Sequence, residues 1–258
     1  MKLARISRRG EAVHVVVEDD EIRSVSGSIF DEFKVGSSIG KLKDFRLLPP
    51  VDPNNLIAIG LNYIDVMETW VKETGRPKPI RPHVFPLIRS SIIGHLDNIV
   101  YPTTASDNWA YPELVVVIKK PAKLISENDA ADYILGYTCG NDMAALDIEF
   151  GEDDGLTGRA HNFDTFTSFG PCIETELSPE GLNVRLKFNG KPVKEGNTRN
   201  MAFGVGRIIS HVSEFMTLQP GDIIFTGSPG GCAMAVGDDI EVEIDGIGML
   251  RNRVVASG

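Results

Sequence analysis

Pro112-Glu113-Leu114-Val115-Val116-Val117-Ile118 is the most strand-like stretch of this chain, because positions 114–118 are all apolar and four of these five are β-branched. Such a run without alternation is typical of a strand buried on both faces. Residues 134–138 predict a second strand, which leads into Asn141-Asp142. One carboxylate therefore stands at the end of each predicted strand, Glu113 directly before the first and Asp142 shortly after the second.

The rest of the chain predicts an α+β fold that is mainly β. Short strand-like runs separated by glycines fill residues 1–50 and indicate a small N-terminal β-domain, which a proline-rich linker at 47–53 joins to a main domain at 51–258. Apolar spacing predicts helices over 64–73 and 200–215, and a short helix over 127–133 capped by Ser126. Residues 56–61 predict a strand, 77–86 an irregular proline-rich segment, and 239–255 a hairpin turning at Asp245-Gly246.

The charge of the chain argues against nucleic-acid and membrane-surface partners. Its 258 residues include 36 acidic and 26 basic residues, for a formal net charge of −10, and no cluster of five basic residues occurs. Nucleic-acid binders and membrane-surface proteins are expected to carry a basic face or cluster. We therefore expect a small-molecule carboxylic acid or a second copy of the chain as the partner.

Cysteine usage indicates a reducing compartment. Cys139, Cys172 and Cys232 are odd in number and form no Cys-x-x-Cys pair, which argues against a zinc knuckle or a redox pair. The N-terminus has no apolar stretch of signal-peptide length, and no apolar run approaches the ~18 residues of a membrane span. These features predict a cytoplasmic protein.

Two features of the sequence are candidates for chemistry. Glu113 and Asp142 at buried strand ends are costly unless they meet a metal or a cation, so they are either metal ligands or ordinary hydrogen-bonded acids. The second feature is residues 226–231, Thr-Gly-Ser-Pro-Gly-Gly. Its glycines would let backbone N–H groups approach an anion such as a carboxylate. The alternative is a hairpin loop without a ligand.

Taken together, these segments resemble the fumarylacetoacetate hydrolase superfamily, in particular its 2-hydroxyhepta-2,4-diene-1,7-dioate isomerase and acylpyruvase members. The order and spacing of the matching segments agree over residues 55–255. The matching segments are 58–63, 112–118, 136–142, 163–166 with 170–171, 218–229 and 246–252. The resemblance implies the mixed β-sandwich or roll fold of that family, an enzyme that is a lyase, isomerase or hydrolase, and a homodimer.

In that family a Glu-x-Glu pair and the Asp of an Asn-Asp motif bind Mg²⁺ or Mn²⁺, and the metal stabilises an enolate. Glu113 matches the second Glu and Asp142 the Asp, whereas Tyr111 stands at the first Glu. The resemblance places Tyr63 among the catalytic residues. It places Asn62, Thr226, Gly227 and Ser228 on the substrate, the last three as a cradle for its carboxylate.

Other departures from the family pattern affect bases and cations. Val66 stands where the family often has a water-activating His, and Leu146, His161 and Leu87 stand where it has Arg or Lys. His161 is open to three interpretations: a ligand that with Glu113 and Asp142 favours a transition metal, a neutral or charged site residue, or a structural histidine. Tyr111 either lines the site and donates to an enolate oxygen or fills the space of the lost Glu.

Three functions follow from this pattern. The first is an enzyme acting on a small 2-oxo or 1,3-dicarbonyl acid by C–C cleavage, decarboxylation, hydration or isomerisation through an enolate, with a weakened Mg²⁺ or Mn²⁺ site. The second is a metal-independent enzyme in which His161 and Tyr111 act as acid and base. The third is a non-catalytic binding or scaffold protein. Because Val66 cannot take a proton, we expect little C–C hydrolysis.

Overall fold

The computed structural model describes residues 1–151 and 157–258. The strands are β1 (Lys2–Arg8), β2 (Glu11–Glu18), β3 (Glu21–Gly27), β4 (Phe33–Lys41), β5 (Arg46–Leu48), β6 (Leu56–Gly60), β7 (His83–Leu87), β8 (Ile92–Ile93), β9 (Asn98–Tyr101), β10 (Asn108–Ile118), β11 (Ile134–Ala145), β12 (Thr167–Glu174), β13 (Asn183–Phe188), β14 (Lys191–Asn197), β15 (Ile223–Phe225), β16 (Cys232–Ala233), β17 (Asp239–Ile244) and β18 (Gly248–Ala256). The helices are α1 (Ile64–Thr74), α2 (Leu146–Glu149), α3 (Thr157–Ala160) and α4 (Val205–Phe215). Four 3₁₀ turns cover Leu42–Asp44, Arg89–Ser91, Ala130–Tyr133 and Thr198–Asn200.

Two sheets organise the strands, which confirms the predicted α+β, mainly β, fold. A 13-stranded sheet runs in the order β4-β3-β2-β1-β12-β11-β10-β15-β6-β7, with β16, β5 and β8 attached to β10, β1 and β12. A 5-stranded sheet runs β14-β13-β17-β18-β9. Strands β10 and β11 lie near the middle of the large sheet, and their side chains at positions 114–118 and 135–145 are buried. Residues on these two strands therefore sit on a rigid part of the fold.

The N-terminal strands continue the large sheet. Strand β1 pairs antiparallel with β12, with Leu3 opposite Ile173, and β2, β3 and β4 follow outward from it. The strands predicted in residues 1–50 are present, and they share a sheet with the rest of the chain. The division at residue 50 stays a prediction about domain organisation.

Both carboxylates lie inside long strands, which corrects the prediction that they stand at strand ends. Strand β10 begins at Asn108 and β11 continues to Ala145, so Tyr111 pairs with Asp142 and Glu113 with Gly140. The apolar runs used to predict these strands cover only part of each strand. The polar residues beyond the runs continue the same β10–β11 backbone pairing. Pro112 is tolerated in this central strand because, on the side away from β11, it lies in the gap between β16, which pairs up to Ala110, and β15, which pairs from Val115.

Most of the other predicted elements are confirmed, with three corrections. Residues 127–133 do not form an α-helix: Ser126 and Asp129 close a turn on each other, and only the 3₁₀ turn Ala130–Tyr133 follows. The helix predicted from residue 200 begins at Val205, after the 3₁₀ turn at 198–200. The proline-rich segment ends in strand β7, which pairs with β6 at the edge of the sheet, where Pro86 is allowed.

None of the helices in the described ranges is long and apolar enough to cross a lipid bilayer.

Replacing Gly140 with alanine is expected to destabilise the protein by about 1–3 kcal/mol, because the site has no room for a methyl group. A Cβ at this position would lie 2.4 Å from Val115 Cγ2 and 2.5 Å from the Phe225 ring. Urea denaturation of the variant measures the loss. Gly158→Ala is the matched control, since a Cβ there meets nothing within 4 Å; equal stability of the two variants would contradict the steric argument.

Candidate functional site

A cavity of about 1050 Å³ opens beside the first half of β10 and the second half of β11 and contains the predicted acidic residues. Its inner wall carries Glu113, Asp142, His161 and Tyr111. Helix α1, the residues after β6, the residues that lead into β7 and the loop after β15 supply the remaining walls. The fold thus brings five of the predicted site residues into one cavity, these four and Ser228.

Glu113 is buried and hydrogen-bonded to the glycine loop, residues 226–231, which follows β15. Its Oε2 accepts a hydrogen bond from the backbone N–H of Gly227 at 2.7 Å. Burial raises the pKa of Glu113 well above its usual value, and the charge of Asp142 raises it further, while the Gly227 N–H and His161 oppose the shift. Two carboxylates in a buried site of this kind favour the uptake of a proton or a cation.

His161 links Asp142 to a third carboxylate. Its Nδ1 lies 2.9 Å from Asp142 Oδ2, and its Nε2 lies 3.6 Å from Glu149 Oε2. The side-chain exposure falls from 17% at Glu149 to 10% at His161 and 3% at Asp142, so the three groups form a line from the cavity into the protein. The ring of Phe85 packs on the imidazole at 4.8 Å between centroids.

The charges in this line decide the protonation of His161. Burial by itself would lower the pKa of His161, but the charge and hydrogen bond of Asp142, and those of Glu149, raise it to about 10. Burial raises the pKa of Asp142, and the charge and hydrogen bond of His161 oppose that shift. We therefore describe the group as an imidazolium between two carboxylates.

Sequence reasoning missed Glu149. It lies at the end of α2, seven positions after Asp142 and on a different element, so no periodicity connects the two. Thr157 Oγ1 also lies 3.4 Å from Glu149 Oε1. Only the return of the chain through α3 brings Glu149 and His161 together.

The two buried carboxylates fit a hard divalent cation, but with an incomplete ligand set. Asp142 Oδ1 is buried and has no hydrogen-bond partner in the part of the chain that the structure describes, and carboxylate oxygens are the donors that Mg²⁺ takes. Within residues 1–151 and 157–258, however, no group of three or more His, Cys, Asp or Glu side chains is placed to hold a metal. In this structure carboxylates face both nitrogens of His161. A ligand role for His161 beside Glu113 and Asp142, one of its three interpretations, stays a prediction.

Tyr111 stands between the acids and the outer cavity. Its backbone N–H donates to Asn141 Oδ1 at 3.0 Å, and its ring lies against the glycine loop, where a Cβ on Gly231 would be 2.6 Å from the ring. Burial raises the pKa of Tyr111 above its usual value, and the charges of Glu149 and Asp142 add to the shift. The phenol therefore stays protonated and can donate a hydrogen bond into the cavity.

Four residues that the resemblance assigned to the site lie outside the cavity lining: Asn62, Tyr63, Thr226 and Gly227. The Asn62 amide joins two loops, donating to Phe203 O and Thr226 O and accepting from the Phe203 N–H. The Thr226 hydroxyl donates to Leu114 O. Tyr63 is buried with its hydroxyl unpaired among the described residues, and burial and then the charge of Glu113 raise its pKa. Their predicted roles at the substrate stay predictions. In the structure, the hydrogen bonds of Asn62 and Thr226 connect the segments that surround the cavity.

The glycine loop is occupied by the protein's own groups. The Gly227 N–H donates to Glu113, and Ser228 Oγ accepts from Gly230 N–H at 3.2 Å and lies 3.0 Å from Gly230 O. The loop after β15 therefore binds a carboxylate of the protein, while Ser228, Gly230 and Gly231 line the cavity. A role for this loop in binding the substrate carboxylate stays a prediction.

The positions that depart from the family pattern differ in their environment. Val66 lines the cavity with its apolar side chain. Leu87 belongs to the buried core cluster that also contains Val115 and Phe225, and Leu146 begins α2. The wall at position 66 therefore offers no group that could take a proton from water.

Two family models match the chain. The model described as fumarylacetoacetate (FAA) hydrolase C-terminal matches residues 55–255, and the model described as Rv2993c-like, N-terminal, matches residues 1–50. Among curated relatives, an uncharacterized protein of Archaeoglobus fulgidus is 42% identical over 88% of this chain and 87% of its own length. The mitochondrial oxaloacetate tautomerase FAHD2A of Homo sapiens is 34% identical over 81% of this chain and 69% of its own length.

Two solved structures superpose on the whole chain. One is a 5-carboxymethyl-2-hydroxymuconate delta-isomerase from Mycobacterium smegmatis, with a TM-score of 0.90, 33% identity and full coverage of both chains. The other is a 2-hydroxyhepta-2,4-diene-1,7-dioate isomerase from Mycobacterium marinum, with a TM-score of 0.89, 33% identity and coverage of 100% of this chain and 99% of that chain.

Proposed function

The chain belongs to the fumarylacetoacetate hydrolase family, and from that premise we propose that it is an enzyme that isomerises a small 2-oxo acid by keto–enol proton transfer. The observation that carries this proposal is the line of Asp142, His161 and Glu149 on the wall of the cavity. Relatives named as an oxaloacetate tautomerase and as isomerases support the same type of reaction. Tautomerisation needs only enolate stabilisation and a movable proton.

His161 is the proton carrier in this proposal. It delivers a proton to C3 of the bound enolate to give the keto form, and it takes that proton back in the reverse direction. Asp142 orients the ring through its 2.9 Å contact with Nδ1, which leaves Nε2, 3.6 Å from Glu149 Oε2, as the nitrogen that passes the proton. Both carboxylates stabilise the positive charge of the ring. The enol O–H gives its proton to water, and water returns one proton to the imidazole after the transfer to C3, so that the cycle closes.

Tyr111 and the two buried acids serve the oxygen end of the substrate. Tyr111 donates a hydrogen bond to the C2 oxygen, where negative charge develops. Glu113 and Asp142 are the residues that would hold Mg²⁺ or Mn²⁺, which when bound supplies Lewis-acid stabilisation of that charge. The Gly227 N–H and His161 keep the two acids in place.

C–C hydrolysis is the reaction that this cavity supports least. It needs a base to activate water, and Val66 cannot act as one. General base help contributes about 10²–10⁴-fold to such a rate. We therefore expect acetylpyruvate to be cleaved slowly, although it presents the same 2-oxo acid group.

The test compares two substrates on the same protein. The enol of oxaloacetate and acetylpyruvate are each followed by absorbance, with Mg²⁺, with Mn²⁺ and with a chelator. We expect faster decay of the oxaloacetate enol and little acetylpyruvate cleavage. Brisk acetylpyruvate cleavage would show that the base has been misassigned, and no effect on either compound would favour the non-catalytic alternative.

A further inference from the structure

The outer part of the cavity is more aromatic than a four-carbon acid requires. Pockets of ~300–1,000 Å³ enclose drug-sized ligands, and this cavity measures about 1050 Å³. A four-carbon acid at Glu113 and Asp142 would leave most of that space to water. The lining of the unused space therefore carries information about the rest of the substrate.

Strand β10 builds an aromatic shelf that leads away from the acids. Trp109, Tyr111 and Glu113 alternate along the strand, so their side chains share one face. Each step of two residues advances about 6.6–6.8 Å. Tyr111 is thus one such step from Glu113 and Trp109 two steps, or about 13 Å measured along the strand.

The planes of the two rings of the shelf are nearly parallel. The Trp109 and Tyr111 ring centroids are 6.2 Å apart with an interplanar angle of 22°. The Trp109 indole N–H donates to Asp107 Oδ1 at 2.7 Å, which fixes the plane of that ring. The chain has two tryptophans, and the second, Trp70 on α1, also lines the cavity. Phe150, which is 65% exposed, lies on the same lining.

The charges of the outer cavity do not call for a second carboxylate on the substrate. Apart from Glu113, Asp142 and the His161–Glu149 pair, the described lining holds three basic and two acidic side chains. These are Arg76, Arg81 and Lys194 against Asp65 and Glu73. This near balance is compatible with a neutral substituent.

We propose that the shelf of Trp109 and Tyr111 binds an aryl substituent, so that the substrate is a 2-oxo acid, or its enol, that carries one or two aromatic rings. The assignment of the 2-oxo acid end rests on the proposed function. With the 2-oxo group at Glu113 and Asp142, a ring attached to it lies along Tyr111, and a second ring in line reaches Trp109. Offset stacking on these faces favours an aryl group over an aliphatic one.

Three probes that cannot enolise test the shelf without any turnover. Trimethylpyruvate is an aliphatic 2-oxo acid, benzoylformate adds one ring, and 4-biphenylylglyoxylate adds a second ring in line. Calorimetry with Mg²⁺ present measures their affinities. We expect each ring to tighten binding about two- to tenfold, and we expect quenching of tryptophan fluorescence because both tryptophans line the cavity.

Variants then locate the second ring. Trp109→Leu should weaken the binding of 4-biphenylylglyoxylate to about the affinity of benzoylformate, and the affinity of benzoylformate should not change. Trp109→Phe should retain most of the affinity that the second ring adds. Phe215→Leu is the matched control, because that exposed aromatic residue lies on α4, away from the cavity. It should leave all three affinities unchanged.

Two results would overturn the shelf. One is equal affinity for the three probes, and the other is a Trp109→Leu variant that weakens all three equally. Failure of the proposed function can be told apart from failure of the shelf. Equal affinities for the three probes, together with rapid oxaloacetate tautomerisation, would refute only the shelf. Tighter binding of the two-ring probe without any tautomerisation would refute only the proposed isomerisation.

Discussion

Replacing His161 with alanine is expected to slow oxaloacetate tautomerisation by about 10²–10⁴-fold, because the variant loses the group that carries the proton. The imidazole contacts two carboxylates at once, Asp142 at 2.9 Å and Glu149 at 3.6 Å. Alanine leaves both carboxylates in place and removes the group between them. The decay of the enol absorbance, measured at saturating oxaloacetate, gives the loss in kcat.

His211→Ala is the matched control for this variant. His211 also faces a carboxylate, Glu214 at 3.3 Å, but it lies on α4 outside the cavity. Its replacement should leave the rate unchanged. Since removal of His161 also leaves Asp142 without its buried partner, thermal unfolding of both variants must show that they are folded at the assay temperature. A folded His161→Ala protein with the wild-type rate would refute the proton-carrying role.

Replacing Tyr111 with glutamate is expected to tighten Mg²⁺ binding at least about tenfold, because ligand charge count sets the affinity for such ions. Tyr111 and Asp142 are directly opposite each other on β10 and β11, and opposite residues of an antiparallel pair place their Cβ atoms about 4.5–5.5 Å apart. The new carboxylate would therefore join Asp142 and Glu113 on one face of the sheet. Calorimetry with Mg²⁺, and the Mn²⁺ electron paramagnetic resonance signal, measure the change.

Tyr111→Gln separates charge from the loss of the ring. Its side chain has the size and shape of glutamate but adds no charge, so its Mg²⁺ affinity should stay weak. Without metal the glutamate variant should be less stable than the glutamine variant, since like charges opposite each other repel. Added Mg²⁺ should reverse that order through binding to the folded state. Equal Mg²⁺ affinity for the two variants would contradict a two-carboxylate site.

Local pattern was enough for the main elements of the fold. The apolar run at 114–118, the helical spacing at 64–73 and the alternation at 239–244 each correspond to an element in the structure. These signals are local, since a buried strand or an amphipathic helix imposes its period on neighbouring residues. The same local reasoning failed at 127–133, where Ser126 and Asp129 satisfy each other in a turn.

The residue types at the candidate site can be read from the amino-acid order alone: Glu113, Asp142 and His161 are present, and Tyr111 and Val66 replace a carboxylate and a base of the family pattern. The contacts of these residues depend on the folded chain. It turned the Gly227 N–H to Glu113, buried Asn62 between two loops, and brought Glu149 to His161. The physical reason is that these contacts join distant segments, and their geometry follows from strand register and loop return, which no spacing along the chain encodes.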